Sequence, residues 1–253
     1  MPRITLAGAT GRTLLAECPG ALLQCFSTPD ACGLRLVCSE FQAAVAAHPW
    51  EDRETVIKGD IGGWRACFPR ARCANVNMYT RRSPVVDADF VHFVGLWELN
   101  MARCRAVTDA AFVHLRGIRV LNMSRCTQLT DAAFAHLKGI QTLLMYGCKQ
   151  PTITDAGLAH LRGIHALVME GCTQATITGA GLAHLAGIAN IGMCYCREGA
   201  IAAAEDLGLP VAKFLGMEYG PFDCAFEDPA YSEDEDVDFL QEDEEALDYL
   251  FDY

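Results

Sequence analysis

"LNMSRCTQLTDAAFAHLKG" (residues 121–139) decides the fold, because it is one copy among several. Upstream it recurs as "LNMARCRAVTDAAFVHLRG" (99–117). Downstream it recurs as "LLMYGCKQPTITDAGLAHLRG" (143–163) and "LVMEGCTQATITGAGLAHLAG" (167–187). Self-similarity at a nearly fixed period is the signature of a repeat architecture. Met78, Met101, Met123, Met145, Met169, Met193 and Met217 mark the period, at spacings of 23, 22, 22, 24, 24 and 24 residues. An apolar residue stands two places before each of them: Val76, Leu99, Leu121, Leu143, Leu167, Ile191 and Leu215. That alternation predicts a short strand in every unit. Thr108, Thr130, Thr154 and Thr178 then open an apolar helical turn as N-caps. Gly95, Gly117, Gly139, Gly163 and Gly187 close the units.

Two further ladders raise the question of chemistry. Cys104, Cys126, Cys148, Cys172 and Cys196 each follow the Met by three residues. His92, His114, His136, His160 and His184 each precede the last apolar residue of a helix. A zinc site needs ligand pairs that converge on one point. One Cys per repeat does not supply such a pair, and "CYC" at 194–196 has the wrong spacing. The Cys ladder therefore reads as small apolar filling with a weak donor, and the Met ladder as core. The His residues sit where a cation complements a helix C-terminus. We expect no metal and no cofactor. No G-x-S-x-G, P-loop, H-E-x-x-H or Rossmann glycine run is present, and "GDIGG" (59–63) lacks the Lys of a phosphate loop. No enzymatic activity is expected.

A strand and a helix in 22–24 residues, with Asn or Cys after the apolar core, resemble the leucine-rich repeat. The Cys and the Thr-Asp-Ala-Gly-Leu phrase are similar to its cysteine-containing subclass. The resemblance covers about 73–220, roughly six units and a closing strand "AKFLGM" (212–217). It implies an α/β solenoid, a horseshoe with parallel strands on the concave face and helices outside, each unit burying its apolar side on its neighbours. Residues between the apolar strand positions should then face the concave surface. Those are Asn77, Asn100, Asn122, Leu144, Val168 and Gly192, with Tyr79, Arg103, Arg125, Tyr146, Glu170 and Tyr195 after the Met and Trp97, Glu98 and Arg119 before it. The partner-binding set expected on this face is Tyr79, Trp97, Asn100, Arg103, Asn122, Arg125, Tyr146, Glu170 and Tyr195. Aromatic and Arg side chains are the usual anchors of protein interfaces.

The first seventy residues do not follow the repeat. "LLAECPGALLQCFSTPDACGLRLVCSEFQAAVAAHPWED" (14–52) predicts two or three short helices, with Pro29-Asp30 at a helix start. Its order of residues resembles an F-box: Pro19, Leu22, Leu23, Phe26, Asp30, Leu34, Val37, Cys38, Phe41 and Trp50 match. Cys18 in place of Leu, and Ser39-Glu40 in place of a basic residue, depart from that pattern. An F-box followed by cysteine-containing repeats resembles the F-box/leucine-rich-repeat family. That resemblance implies the recognition subunit of an SCF-type, cullin–RING ubiquitin ligase. Pro19, Leu22, Leu23, Leu34, Val37 and Phe41 would dock on a Skp-type adaptor, and the concave face would hold an unidentified protein substrate. The division expected is 1–55 as the F-box-like helical unit, 56–72 as a junction, 73–220 as repeats and 221–253 as an acidic tail. In the junction, Trp64, Phe68 and Pro69 should pack on the first repeat.

Charge is uneven. Residues 1–213 carry 20 Lys and Arg against 17 Asp and Glu, while 214–253 carry 15 acids and no base. The body is therefore +3 and the tail −15. Phe239, Leu240, Leu247 and Leu250 recur in the tail at helical spacing, so it reads either as a solvating, disordered segment or as a short amphipathic helix. It could serve a basic partner or fold back on Arg103, Arg119 and Arg125. A repeat body with such a tail also resembles acidic nuclear leucine-rich-repeat proteins that bind basic partners, and this is the alternative to the ligase reading. No run of 18 apolar residues and no secretory leader pattern is found. An intracellular protein, cytoplasmic or nuclear, with neither membrane nor nucleic acid as partner, is the expectation.

Overall fold

The computed structural model describes residues 23–24, 26–78 and 83–212. The tail 221–253, together with Pro19, Leu22 and Tyr79, lies outside the described residues. Seven strands form one parallel sheet in sequence order: β1 (Cys73–Asn75), β2 (Glu98–Asn100), β3 (Val120–Asn122), β4 (Thr142–Leu144), β5 (Ala166–Val168), β6 (Asn190–Gly192) and β7 (Val211–Ala212). Consecutive parallel neighbours, each joined by a short crossover, make a solenoid of α/β units. Each strand is only three residues long at most, because the repeat must still fit two turns and a helix into its period.

The crossovers are tighter than an α-helix. Asp87–Phe93 and Asp109–Leu115 are 3-10 helices. Four or five residues of α-helix follow in later units, as α4 (Asp131–Phe134), α5 (Asp155–Ala159) and α6 (Gly179–Leu182). The last crossover, α7 (Glu198–Asp206), is longer. Thr108, Thr130, Thr154 and Thr178 are N-caps as expected, each hydroxyl accepting the N–H two residues on. Gly95, Gly117, Gly139, Gly163 and Gly187 take φ between +81° and +86°, which turns the chain from helix into strand.

The core runs along the array. Leu99, Leu121, Leu143, Leu167 and Ile191 alternate with Met101, Met123, Met145, Met169 and Met193, all buried. Phe90, Phe112, Phe134, Leu158 and Leu182 close it from the helix side. Truncating one such Leu to Ala would cost about 2–5 kcal/mol.

At the first unit the register corrects the Met ladder. Ala74 pairs with Leu99 and Asn75 with Asn100, so Val76 stands opposite Met101. Val76 is fully buried and fills the Met slot, whereas Met78 is only partly buried. At the far end Val211 pairs with Ile191. The closing strand therefore begins at Val211, before "AKFLGM"; Leu215 and Met217 lie outside the described residues. Terminal units contact one neighbour only, so their spacing is free to drift.

The helical unit ahead of the sheet contains α1 (Thr28–Leu34), α2 (Ser39–Ala47) and α3 (Ile61–Cys67). Ser27 caps α1 in a capping box with Asp30. The unit has a small core of its own: Leu23, Ala31, Val45, Trp50, Phe68 and Ala71. Trp64 packs against both this core and that of the repeats, as expected for the junction. Phe68 instead belongs to the helical core, and Pro69 is exposed. Val56 bridges to Asn75 in parallel, so the helical unit also covers the first edge of the sheet.

Candidate binding face

The repeated Cys and Thr-Asp residues hold one unit to the next. Each buried thiol donates to a carbonyl of the preceding unit: Cys126 to Met101, Cys148 to Met123, Cys172 to Met145 and Cys196 to Met169, at 3.3, 3.4, 3.1 and 2.9 Å. Cys104 donates to Val76 at 3.6 Å, which again puts Val76 in the Met slot. Burial pushes these thiols up, Cys148 to about 12 and Cys196 to about 11. Such thiols are poor nucleophiles and poor metal ligands. Among the described residues no three or more His, Cys, Asp or Glu side chains converge as a metal site.

The aspartates form a second tie. Asp87 accepts both the N–H and the hydroxyl of Thr108, at 2.8 and 2.6 Å. Asp109 does the same for Thr130, Asp131 for Thr154 and Asp155 for Thr178. Nothing in the single-residue reading exposed this tie, although Thr-Asp recurs in register. The series stops where Gly179 replaces Asp.

On the sheet's open face, neighbouring strands stack their residues in rows about 4.8 Å apart. The central row reads Asn75, Asn100, Asn122, Leu144, Val168, Gly192 and Ala212. Asn100 and Asn122, expected to meet a partner, are buried. Close rows leave little room, and each Oδ1 turns back to accept the N–H of Ala102 or Ser124. These two residues fix the turn after the strand. Asn75 does the same for Asn77, so Asn77 is not the row residue. Glu170 is 1 % exposed and is likewise not a surface group. Leu144 and Val168 form a small apolar cluster flanked by Val120 and Ala212. Glu98 is buried and paired with Arg53 at 2.6 Å.

The residue two places after each Met is left-handed in every inner unit. Arg103, Arg125 and Tyr195 have φ of 62°, 58° and 59°, beside Gly147 at 64° and Gly171 at 68°. The glycines were the legible sign of this slot. A side chain there costs roughly 1 kcal/mol. The Arg125 guanidinium lies 5.3 Å from the Tyr146 ring centre, Tyr195 is 70 % exposed, and Arg103 lines a cleft of about 390 Å³ with Met78, Val85 and Arg105.

The row at the entry to the strands reads Arg72, Trp97, Arg119, Gln141, His165 and Ala189. Trp97 is 44 % exposed. Arg72 and Arg119 flank it, with guanidinium carbons 4.2 and 5.1 Å from the indole centre. They stand at the entries of the two strands on either side of β2. Arg72 also pairs with Glu51 at 2.9 Å.

In the helical unit the expected adaptor contacts divide. Leu23 is buried in the unit's own core, Phe41 is buried, and Leu34 is half-buried. Leu23 and Phe41 are therefore not free contact groups, and a unit this small needs Leu23 for its own core. Val37 is 66 % exposed, and its neighbour Leu36, which was not in the expected set, is 88 % exposed. Both lie in the turn between α1 and α2. At the start of α1, Asp52 accepts from Thr28 and from Thr55. Burial pushes its carboxyl up, but these hydrogen bonds outweigh it and hold the group below its ordinary value.

No family model and no curated protein matches the chain. Among solved structures, the chain is similar to a crystal structure of a TLR13–ssRNA13 complex, at 18% identity and a TM-score of 0.43. The match covers 53% of this chain and 19% of that one, so the chain spans about a fifth of that protein's length. The fold described above rests on strand register and repeat, not on this likeness. No helix among the described residues is long and apolar enough to cross a membrane.

Proposed function

We propose that this chain is a non-enzymatic recognition subunit. Its repeats hold a partner protein, and its helical unit docks on a Skp-type adaptor of a cullin–RING ubiquitin ligase. The observation that carries the adaptor half is the Leu36-Val37 pair. Two adjacent aliphatic side chains, 88 % and 66 % exposed, stand in one turn of a unit whose other large apolar groups, among the described residues, are buried or half-buried. Exposed aliphatic pairs of this kind are anchors for a partner's apolar pocket. The repeats contribute an extended sheet face and no catalytic cluster, so the chain would act by holding a target near a modifying enzyme.

The test is co-expression with a Skp-type adaptor, followed by size-exclusion and calorimetry. Wild type should form a one-to-one complex. Leu36→Asp/Val37→Asp should abolish it while leaving the melting transition in place, because both side chains are exposed. A wild-type chain that binds no adaptor, or a double variant that binds as well as wild type, removes the ligase reading. The helical unit would then be a cap on the first repeat. A second reading is favoured by the 15 acids and no bases of residues 214–253. It is a binding protein for basic partners, with affinity that falls steeply with salt.

A further inference from the structure

The geometry points to a docking strip for an acidic peptide segment of a partner protein, along the strand-entry edge of the repeats. It deepens the reading of the repeats as a protein-binding surface and is independent of the adaptor. The strip is made by Arg72, Trp97 and Arg119 in one row and by Arg116, Lys138 and Arg162 in the row behind it. Arg116, Lys138 and Arg162 each precede the left-handed Gly, and Arg119 follows one by two residues.

Three observations support it. The first is charge segregation. From helix to strand, residues 110–121, 132–144 and 156–168 contain four bases and no acid. The aspartates of these units sit at the other end of each crossover, tied to the next unit's Thr. The second is availability. Arg116, Arg119, Lys138 and Arg162 are exposed, and among the described residues none of them pairs with a carboxylate. Arg162 only donates to His184 Nδ1, at 2.9 Å. The third is preorganisation. Contact with the Trp97 ring holds the Arg119 guanidinium in place, while Arg72, on the same ring, already donates to Glu51 at 2.9 Å.

Spacing sets the ligand's form. Arg116 and Arg162 belong to units two rows apart, about 10 Å. An extended peptide covers that distance in about three residues. A segment with acids three apart, crossing the strands, would meet both. A single-stranded nucleic acid is the competing polyanion, and it needs open aromatic faces on which bases stack. Here the guanidiniums of Arg72 and Arg119 both lie against the indole of Trp97, and that of Arg125 lies against Tyr146. The strip offers charge without a stacking platform, which favours carboxylates.

The test is fluorescence anisotropy of the full chain with a short fluorescein-labelled peptide that carries Glu every third residue. Binding should weaken at least about tenfold for Arg119→Glu, and comparably as salt rises from about 0.05 to 0.5 M. Trp97→Leu should weaken it a few-fold with charge unchanged. Arg105→Glu, on the strand-exit side, should leave it unchanged. Circular dichroism melts of the variants verify that they fold. Three results overturn the inference: no peptide binding by wild type, equal binding by Arg119→Glu, or tighter binding of a labelled oligouridylate of the same charge. Adaptor binding, scored on the same preparations, keeps the two readings apart. A wild type that holds the adaptor but not the peptide refutes the strip alone.

Discussion

Asp131→Ala should cost about 3 kcal/mol of unfolding free energy, and the reason lies in the tie between units. Its carboxylate accepts the Thr154 N–H at 2.8 Å and the Thr154 hydroxyl at 2.6 Å. A hydrogen bond to a charged group contributes about 1.5–3 kcal/mol. Both residues are half-buried, so water replaces part of what is lost and the lower end applies. Two such bonds give about 3 kcal/mol, and a chain of this size then melts about 6–12 °C lower. Thr154→Val keeps the N–H but loses the hydroxyl, which also caps Ala156 at 3.1 Å. It should cost about 2 kcal/mol. Urea unfolding of wild type, both single variants and the double variant closes the cycle. A coupling of about 1–1.5 kcal/mol between the two positions is expected for the shared bond. Additivity within about 0.3 kcal/mol would refute the reasoning and make the Thr-Asp phrase a helix-start preference only. Hydrogen exchange should place the weakening in the two units that flank the broken tie, because repeat stability is carried by nearest neighbours.

Two other outcomes are expected. The buried thiols stay protonated in the folded chain, Cys148 to about 12 and Cys196 to about 11, while unfolded thiols ionise near the ordinary 9.0. Their contribution is complete below 9.0 and is lost as pH rises through 11–12, at about 1.4 kcal/mol per pH unit for each thiol. The urea midpoint should therefore be flat below about pH 9 and drop above it, and less so in Cys148→Ala; equal slopes for the two chains would contradict the burial argument. Tyr195→Gly, at φ 59° and 70 % exposed, should raise stability by about 0.5–1 kcal/mol in the same assay, whereas a loss would show that the ring packs.

Much of the fold was legible because one lattice repeats in register. The Leu and Met alternation, the Thr caps and the closing glycines all appear where their spacing puts them. The sequence pattern misled at the first unit, where Met78 continues a numerical series that the strand leaves. It also misled on the open face. Alternation tells which way Asn100 and Asn122 point, but not that close-packed rows bury them or that each side chain bonds its own turn. The Thr-Asp tie was missed because the residues were read one unit at a time, and its two ends belong to different units. In the helical unit, a motif match names apolar residues without telling which of them the unit's own core consumes. Leu23 belongs to that core and Phe41 is buried, whereas Val37 and its neighbour Leu36 are exposed.

The same logic separates lattice from function on the strand-entry edge. Arg116 directly follows a 3-10 helix, where a cation is favourable by about 0.3–1 kcal/mol, and Lys138 and Arg162 occupy the same place before the glycine in turns just past α4 and α5. Their presence alone would need no ligand. Arg119 is past the glycine turn, beside β3 and away from any helix end, and it has no carboxylate partner among the described residues. Its contact with Trp97 contributes roughly 0.5–1 kcal/mol at an exposed site. That contact explains why the guanidinium is held, not why an exposed Trp should stand in the row at all. A lattice in which Trp97 and Arg119 had only structural work would tolerate Gln and His there, as the next two units do with Gln141 and His165. Replacing Trp97 with Gln and Arg119 with His therefore gives this edge its neighbours' residues. Stability should change little, by about 1 kcal/mol or less, while affinity for an acidic peptide falls. A double variant that melts far lower, with peptide binding intact, would return both residues to the lattice.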